Sequence, residues 1–188
     1  MSAALLIAGV VGMFLVRAPH IRRSTKVAVR ASHETRADRL LVGLVSLGLL
    51  LPAVWLTGAL SFADFAASNA QLAAGAACLA LGLYVLHRSH VDLGRNWSNT
   101  LELREDHALV TSGIYARVRH PMYVALLLHG VGQALVVPNL IAGPSFLVPF
   151  ALLVLVRLPK EEQMMRDAFG AAYEDYAAKT PRLLPFGS

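Results

Sequence analysis

His107-Ala-Leu-Val-Thr-Ser-Gly113-Ile-Tyr115-Ala-Arg117-Val-Arg119-His120-Pro121-Met-Tyr123 is the stretch around which the rest of the chain is read. Two arginines, two histidines and two tyrosines fall in its 17 residues, in a chain whose charged content is only 15%. An apolar run begins at Pro121 and continues to Val137. Proline is tolerated at the first helical position, where its missing N–H would have no partner, so Pro121 marks a helix start. The same proline biases His120 toward an extended backbone. The stretch therefore predicts a polar cluster at the mouth of an apolar helix.

Composition says what kind of helix this is. The chain has 188 residues, the size of one ordinary domain. Hydrophobic residues make up 56% and the mean hydropathy is +0.54, whereas a soluble domain is about 45–50% apolar. The excess lies in long blocks, which predicts an integral membrane protein. The net charge is +5, but the basic residues are spread over three short polar segments beside apolar runs. A nucleic-acid partner would call for one basic patch with its own fold motif, so none is predicted. The single cysteine, Cys78, lies in an apolar run and excludes an intrachain disulfide framework or a multi-cysteine metal site. It reads as a small buried hydrophobe.

The apolar blocks divide into spans. Residues 2–16 carry no charge and Arg17 closes the run. The basic residues come after the apolar core rather than before it, so this is a retained first span and not a signal peptide. It is short against the roughly 20 residues a bilayer requires. Residues 17–39 hold seven Lys/Arg and two acids, Glu34 and Asp38. They suit either a helix on an anionic lipid surface or a solvated basic loop. Residues 40–60 form the second span, with Pro52 as a possible kink and Trp55 as an interface marker. Residues 69–86 form the third, where Gly75 and Gly82 allow close helix packing. The fourth span is 121–137; Pro138-Asn139 is a turn signal, and 140–156 is the fifth, interrupted by Gly143-Pro144 and Pro149. Residues 157–178 are helical in period, and Thr180 to Pro185 is a breaker-rich terminus.

The basic residues set the topology. Segment 17–39 has seven Lys/Arg, 87–120 has five and the tail has five, which is the full complement of 17; the turns at 61–68 and 138–139 have none. Five spans with the N-terminus outside put every basic residue on the cytoplasmic side. The predicted fold class is thus all-α and integral membrane, with five transmembrane helices, and with the cytoplasmic loop and the C-terminal helix at the site. Residues 1–188 read as one membrane domain. Residues 1–86 supply three N-terminal spans and the basic loop 17–39, and 87–188 supply the functional core. In a bacterium such a chain would lie in the inner membrane. No sequence feature speaks to oligomeric state.

The residue chemistry narrows the ligand. Arg117, Arg119 and His120 lie at the N-terminal end of a helix, where backbone donors and the helix dipole favour an anion. Gly113 permits a turn or a close ligand approach. Tyr115 and Tyr123 offer aromatic faces, and Glu161 and Glu162 follow the fifth span on the same side. Together these groups suit a zwitterionic ligand with an aromatic ring, or else they serve only to enforce topology. His87 and His90 have ligand-like spacing, but Asp92 is the single nearby carboxylate, so no metal site is predicted. No Walker loop, dinucleotide fingerprint or Gly-x-Ser-x-Gly elbow is present.

The order of motifs carries a resemblance. Leu93-Gly94-Arg95-Asn96-Trp97-Ser98, the His107–Tyr115 run, Arg119-His120-Pro121-Met-Tyr123, Glu161-Glu162, Phe169-Gly170-Ala-Ala-Tyr173-Glu-Asp-Tyr176 and the Pro181–Pro185 terminus follow in turn. This half of the chain resembles the isoprenylcysteine carboxyl methyltransferase family. It shares the Arg-His-Pro and Glu-Glu elements with phospholipid N-methyltransferases. The resemblance implies an all-helical membrane enzyme that uses S-adenosylmethionine, releases S-adenosylhomocysteine, and admits a lipophilic or lipid-modified acceptor sideways from the bilayer lipids. It implies cofactor-binding roles for His107, Gly113, Tyr115, His120, Tyr123, Tyr173 and Tyr176. Arg119, Glu161 and Glu162 become the catalytic candidates, and Arg95, Trp97 and Arg157 the substrate-binding ones. A carboxylate acceptor would need a positioning cation, with Arg119 first and Arg95 and Arg157 behind it. An amine acceptor would need a base, Glu161 or Glu162. An isoprenylcysteine-like carboxylate is the leading acceptor. N-methylation of an aminophospholipid, or methylation of another small hydrophobic acceptor, is the alternative. A membrane protein that binds a ligand without catalysis is the reading from another class.

Overall fold

The computed structural model describes residues 1–24, 29–32, 35–94, 102–104 and 108–183. Six α-helices carry the fold: α1 (Ser2–Ser24), α2 (Arg36–Leu56), α3 (Asn69–Leu93), α4 (Pro121–Val136), α5 (Leu147–Phe169) and α6 (Ala171–Lys179). The starts of α2, α3 and α4 are legible in local chemistry. Thr35 and Asp38 form a capping box on α2, the Asp38 carboxylate accepting the Thr35 N–H at 2.8 Å. The Ser68 hydroxyl caps α3 by accepting the Gln71 N–H. Pro121 occupies the first turn of α4, as the sequence predicts.

Neighbouring contacts show that the first five helices alternate in direction. Gly9 and Gly12 of α1 face Leu79 and Leu83 of α3 in the same order, so these two run parallel. A side chain at Gly75 would press on Val136, and one at Gly82 on the Ala125 carbonyl, so α4 runs back along α3. These glycines do allow the close approach expected of them. Gly48 of α2 is jammed against the backbone of Ser145 and Phe146, while Lys160 donates to Asp38 at 2.8 Å. Helices α2 and α5 are therefore antiparallel, locked at both ends.

The outward faces are apolar. Leu40, Leu47 and Leu155 are each more than 60% exposed, a surface that only lipid would cover. Three helices are long and apolar enough to cross a membrane: Ser2–Ile21, Arg36–Leu56 and Asn69–Leu93. Helix α4, at 16 residues, is a shorter apolar helix. The molecule is an integral membrane protein with a helical fold.

Three sequence expectations change. The fifth apolar segment, expected over 140–156, begins its helix only at Leu147 and runs without a break to Phe169. Residues 139–146 are instead a turn pinned by the Asn139 side chain, whose oxygen accepts from the N–H groups of Ile141 and Ala142. The tail helix expected over 157–178 is split at Gly170, whose φ of +53° favours glycine and ends α5. The fold is also not purely helical. Val29–Ser32 (β1) pairs antiparallel with Glu102–Arg104 (β2), so part of the basic 17–39 segment is a strand.

Candidate functional site

The end of the bundle where α4 starts and α5 finishes gathers most of the titratable side chains singled out above. Glu162 is the hub. It is 1% exposed and pairs with the Arg119 guanidinium, accepts from the Tyr173 hydroxyl at 2.8 Å and lies 2.7 Å from His120 Nε2. Arg182 and Arg166 approach it at 3.4 and 3.7 Å. Burial alone would raise this carboxyl, but hydrogen bonds from His120 and Tyr173 and the charges of His120 and Arg119 hold it at about 2. Glu162 is therefore a saturated anchor, ionised at physiological pH.

Glu161, its neighbour, faces elsewhere, because consecutive helical residues point about 100° apart. It accepts the Tyr123 hydroxyl at 2.5 Å, lies 3.3 Å from Arg157 Nε and 3.5 Å from His120 Nδ1, and lines an internal cavity. His120 thus bridges the two glutamates. Burial opposes its protonation, but hydrogen bonds to Glu161 and Glu162 and their charges raise its pKa above the usual imidazole value. Burial also raises the Tyr115 and Tyr173 phenols. It pushes Tyr176 up to about 12 against the opposing charge of Arg119. All three phenols are neutral donors at physiological pH.

A short 3₁₀ turn, Gly113–Ala116, brings Tyr115 to the site. Gly113 has a φ of +63°, and a side chain there would collide with the Asp92 carboxylate. That carboxylate accepts the Ile114 N–H at 2.8 Å and an Arg88 N–H at 2.7 Å. The Tyr115 hydroxyl donates to the Ser89 carbonyl at 3.3 Å, and the Tyr176 hydroxyl donates to the Tyr115 carbonyl at 2.6 Å. The end of α3 and helix α6 therefore hold this turn from two sides. Asp92 was legible only as an incomplete metal ligand, and the tail backbone was not legible at all. The N–H groups of Arg119 and His120 donate to the carbonyls of Pro181 and Arg182 at 2.9 and 3.1 Å.

The anion site expected at the start of α4 is changed by these contacts. Arg117 is exposed and does not join the cluster. Arg119, His120, Tyr115, Tyr123, Glu161, Arg157, Tyr173 and Tyr176 all come together, and Gly113 shapes their loop. His107, Arg95 and Trp97 lie outside the described residues. Among the described residues no group of three or more potential metal ligands occurs; His90 is instead stacked on His20.

The cavity has a volume of about 480 Å³ and two dissimilar ends. Tyr115, Arg119, His120, Glu161 and Tyr176 line one end. Four helices line the rest with apolar side chains, among them Phe14, Val45, Leu126 and Phe150. Arg119 Nε and Arg157 Nε are buried and have no hydrogen-bond partner among the described residues, and both side chains line the cavity. Phe14 on α1 and Val42 on α2 line the cavity and are also exposed on the outer surface.

The class of molecule is thereby defined: a helical membrane protein with an ionic, tyrosine-rich cluster at the head of an apolar chamber. Comparison with known proteins specifies it further. Residues 75–167 match the sequence model of the Isoprenylcysteine carboxyl methyltransferase (ICMT) family. Protein-S-isoprenylcysteine O-methyltransferase B of Arabidopsis thaliana is 32% identical over 114 residues, 60% of this chain and 58% of that one. The Schizosaccharomyces pombe Protein-S-isoprenylcysteine O-methyltransferase is 33% identical over 109 residues, 57% of this chain and 46% of that one. The human protein of the same name is 34% identical over 95 residues, 50% of this chain and 34% of that one. This chain thus spans between a third and three-fifths of the length of these relatives. The solved structure of the eukaryotic intramembrane Ras methyltransferase ICMT shares the fold at a TM-score of 0.57 and 22% identity, over 83% of this chain and 55% of that one.

Proposed function

We propose that the chain is a membrane methyltransferase that uses S-adenosylmethionine to methylate the carboxylate of an isoprenylcysteine-like lipid. The observation that carries this reading is a continuous cavity running from the Arg119–His120–Glu161 cluster into an apolar chamber. The match of residues 75–167 to the family model and the names of the relatives agree with it.

The residues at the ionic end fit the cofactor. Its α-carboxylate matches the Arg119 guanidinium on the cavity wall; its cationic groups match the Glu161 carboxylate; its adenine ring matches the faces of Tyr115 and Tyr176. When bound, S-adenosylmethionine supplies an electrophilic methyl group on a sulfonium sulfur. The protein's own work is orientation and exclusion of water. Glu162 fixes Arg119, His120 and Tyr173, and Asp92 fixes the Tyr115 turn. A carboxylate acceptor is ionised at neutral pH and requires no base. Arg157, on the cavity wall at the boundary with the apolar chamber, is the cation placed to orient it. Glu162, held at about 2, is a poor base and acts as a positioning residue. Phe14 and Val42 mark a side entrance between α1 and α2 for a lipid tail.

The topology belongs to the same reading. Five spans place the N-terminus outside and the cluster on the cytoplasmic face, with α4 and the apolar half of α5 as the last two. The up-and-down order of the helices supports this. The turns at 61–68 and 137–146, which lack Lys and Arg, also hydrogen-bond to one another at the opposite end. Residues 1–188 act as one domain, the first two helices forming a wall of a chamber headed by residues 87–188.

The deciding experiment is an acceptor screen in lipid nanodiscs with isotopically labelled S-adenosylmethionine and mass-spectrometric readout. Label in the methyl ester of a prenylcysteine analogue is the expected result. Label confined to aminophospholipid, or in no acceptor, overturns the proposal.

A further inference from the structure

The alternating helix directions identify the far end of the apolar chamber. Helices α1 and α5 run toward the ionic cluster, and α2 and α4 run away from it. On each helix the lining residue farthest from the cluster can therefore be read off: Met13, Leu49, Leu126 and Phe146. These four form a floor. Leu49 and Leu126 pack both on the buried group around Phe146 and on the one around Met13.

The floor is closed from behind. Phe146 is 3% exposed, stacks on Phe150 at 5.3 Å and meets the edge of the His129 ring at 5.5 Å. Beneath it, the Gln133 amide donates to the carbonyls of Ala142 and Gly143 at 3.1 and 3.2 Å and to the Ser145 hydroxyl at 3.2 Å. The Ser145 hydroxyl in turn donates to the Gly48 carbonyl at 2.7 Å. Gly48 lets the α2 backbone close on residues 145–146. A polar, hydrogen-bonded knot thus stops an apolar guest from going deeper. Phe146 is the floor residue next in sequence to Ser145 of this knot, and its side chain lines the chamber.

We infer that Phe146 sets the length of hydrocarbon tail the chamber accepts. The inference rests on the reading of the chamber as an acceptor site. From Arg157 to Phe146 is eleven residues along α5, or about 16 Å at 1.5 Å per residue. An arm of that length takes an extended farnesyl-sized tail. A geranylgeranyl tail, one isoprene unit longer, meets the Phe146 ring and must fold back or protrude. Removing the ring leaves room bounded by the His129 ring, which meets Phe146 edge-on.

The test compares equilibrium binding of N-acetyl-S-farnesyl-cysteine and N-acetyl-S-geranylgeranyl-cysteine to the full chain in nanodiscs, with methyl transfer followed in parallel. The wild-type chain is expected to prefer the shorter tail, and Phe146→Ala to shift the affinity ratio toward the longer one by about tenfold, the discrimination a hydrophobic pocket can provide. Phe146→Leu, which keeps the core filled, is expected to shift it by a smaller amount in the same direction. Phe150→Ala, on the side wall, weakens both tails alike. A ratio unchanged in both Phe146 variants, or failure of the wild-type chain to bind either tail, overturns the inference. Length-selective binding without methyl product would instead uphold the ruler and refute the proposed activity.

Discussion

The two ends of this bundle both concentrate polar groups, but they use them differently. At the far end, Asn139 is 1% exposed; its amide donates to the Leu60 carbonyl and the Asp64 carboxylate, both at 2.7 Å. Trp55 Nε1 donates to the same carboxylate at 2.8 Å. These bonds tie two turns together, and none of the four residues lines the chamber. At the near end, Arg119, His120, Glu161 and four tyrosines line a chamber, and the Nε donors of Arg119 and Arg157 have no hydrogen-bond partner among the described residues. Buried polarity in a membrane bundle is therefore not by itself a sign of function. An unsatisfied donor beside a cavity is what separates a site from a clasp.

Breaking the near end at its hub has the largest expected effect. Glu162→Gln leaves Arg119 and His120 without their buried counter-charge, which costs about 3–5 kcal/mol. Thermal unfolding in detergent should show a large drop, together with loss of cofactor binding. Breaking the far end should separate the two properties. Asn139→Ala removes a buried amide whose partners remain, which costs about 1–3 kcal/mol. Its melting temperature should fall while affinity for S-adenosylmethionine stays at the wild-type value. Glu161→Gln should do the reverse: a shift in unfolding within about 1 kcal/mol, and cofactor KM raised about tenfold, the loss of one charge-assisted contact.

A pH profile sharpens the comparison with the smallest effect. Glu162 has a folded pKa of about 2 against a reference of 4.5. Its share of stability is complete above pH 4.5 and is lost as the pH falls through about 2. His120 is raised above 6.5, so its share is complete below pH 6.5 and is lost as the pH rises through the folded value. Melting temperature should therefore be highest between these limits. Glu162→Gln should flatten the acid limb, whereas Asn139→Ala should lower the profile without changing its shape.

Much of this was legible in the sequence, for specific reasons. Pro121 fixed the start of α4 because its ring permits little else, and the apolar blocks announced α1 to α3 because lipid demands length. The end of α5 was not legible. Helical period continues smoothly through Arg157, and only tertiary contact decides that 140–146 is a turn and Gly170 the break. Glu161 and Glu162 read as an equivalent pair, because adjacency in sequence hides the roughly 100° between them on a helix. Arg117 and Arg119 have matching chemistry, but one faces outward. The roles of Asp92 and of the Pro181 and Arg182 carbonyls depend on contacts across long loops, which no local pattern encodes.

The most direct measurement is equilibrium binding of radiolabelled S-adenosylmethionine to the purified chain in nanodiscs. The account predicts saturable binding, displaced by S-adenosylhomocysteine, weakened by Glu161→Gln and unchanged by Asn139→Ala. Correctly folded protein that binds no cofactor, or binding that is insensitive to Glu161→Gln and abolished by Asn139→Ala, would contradict it.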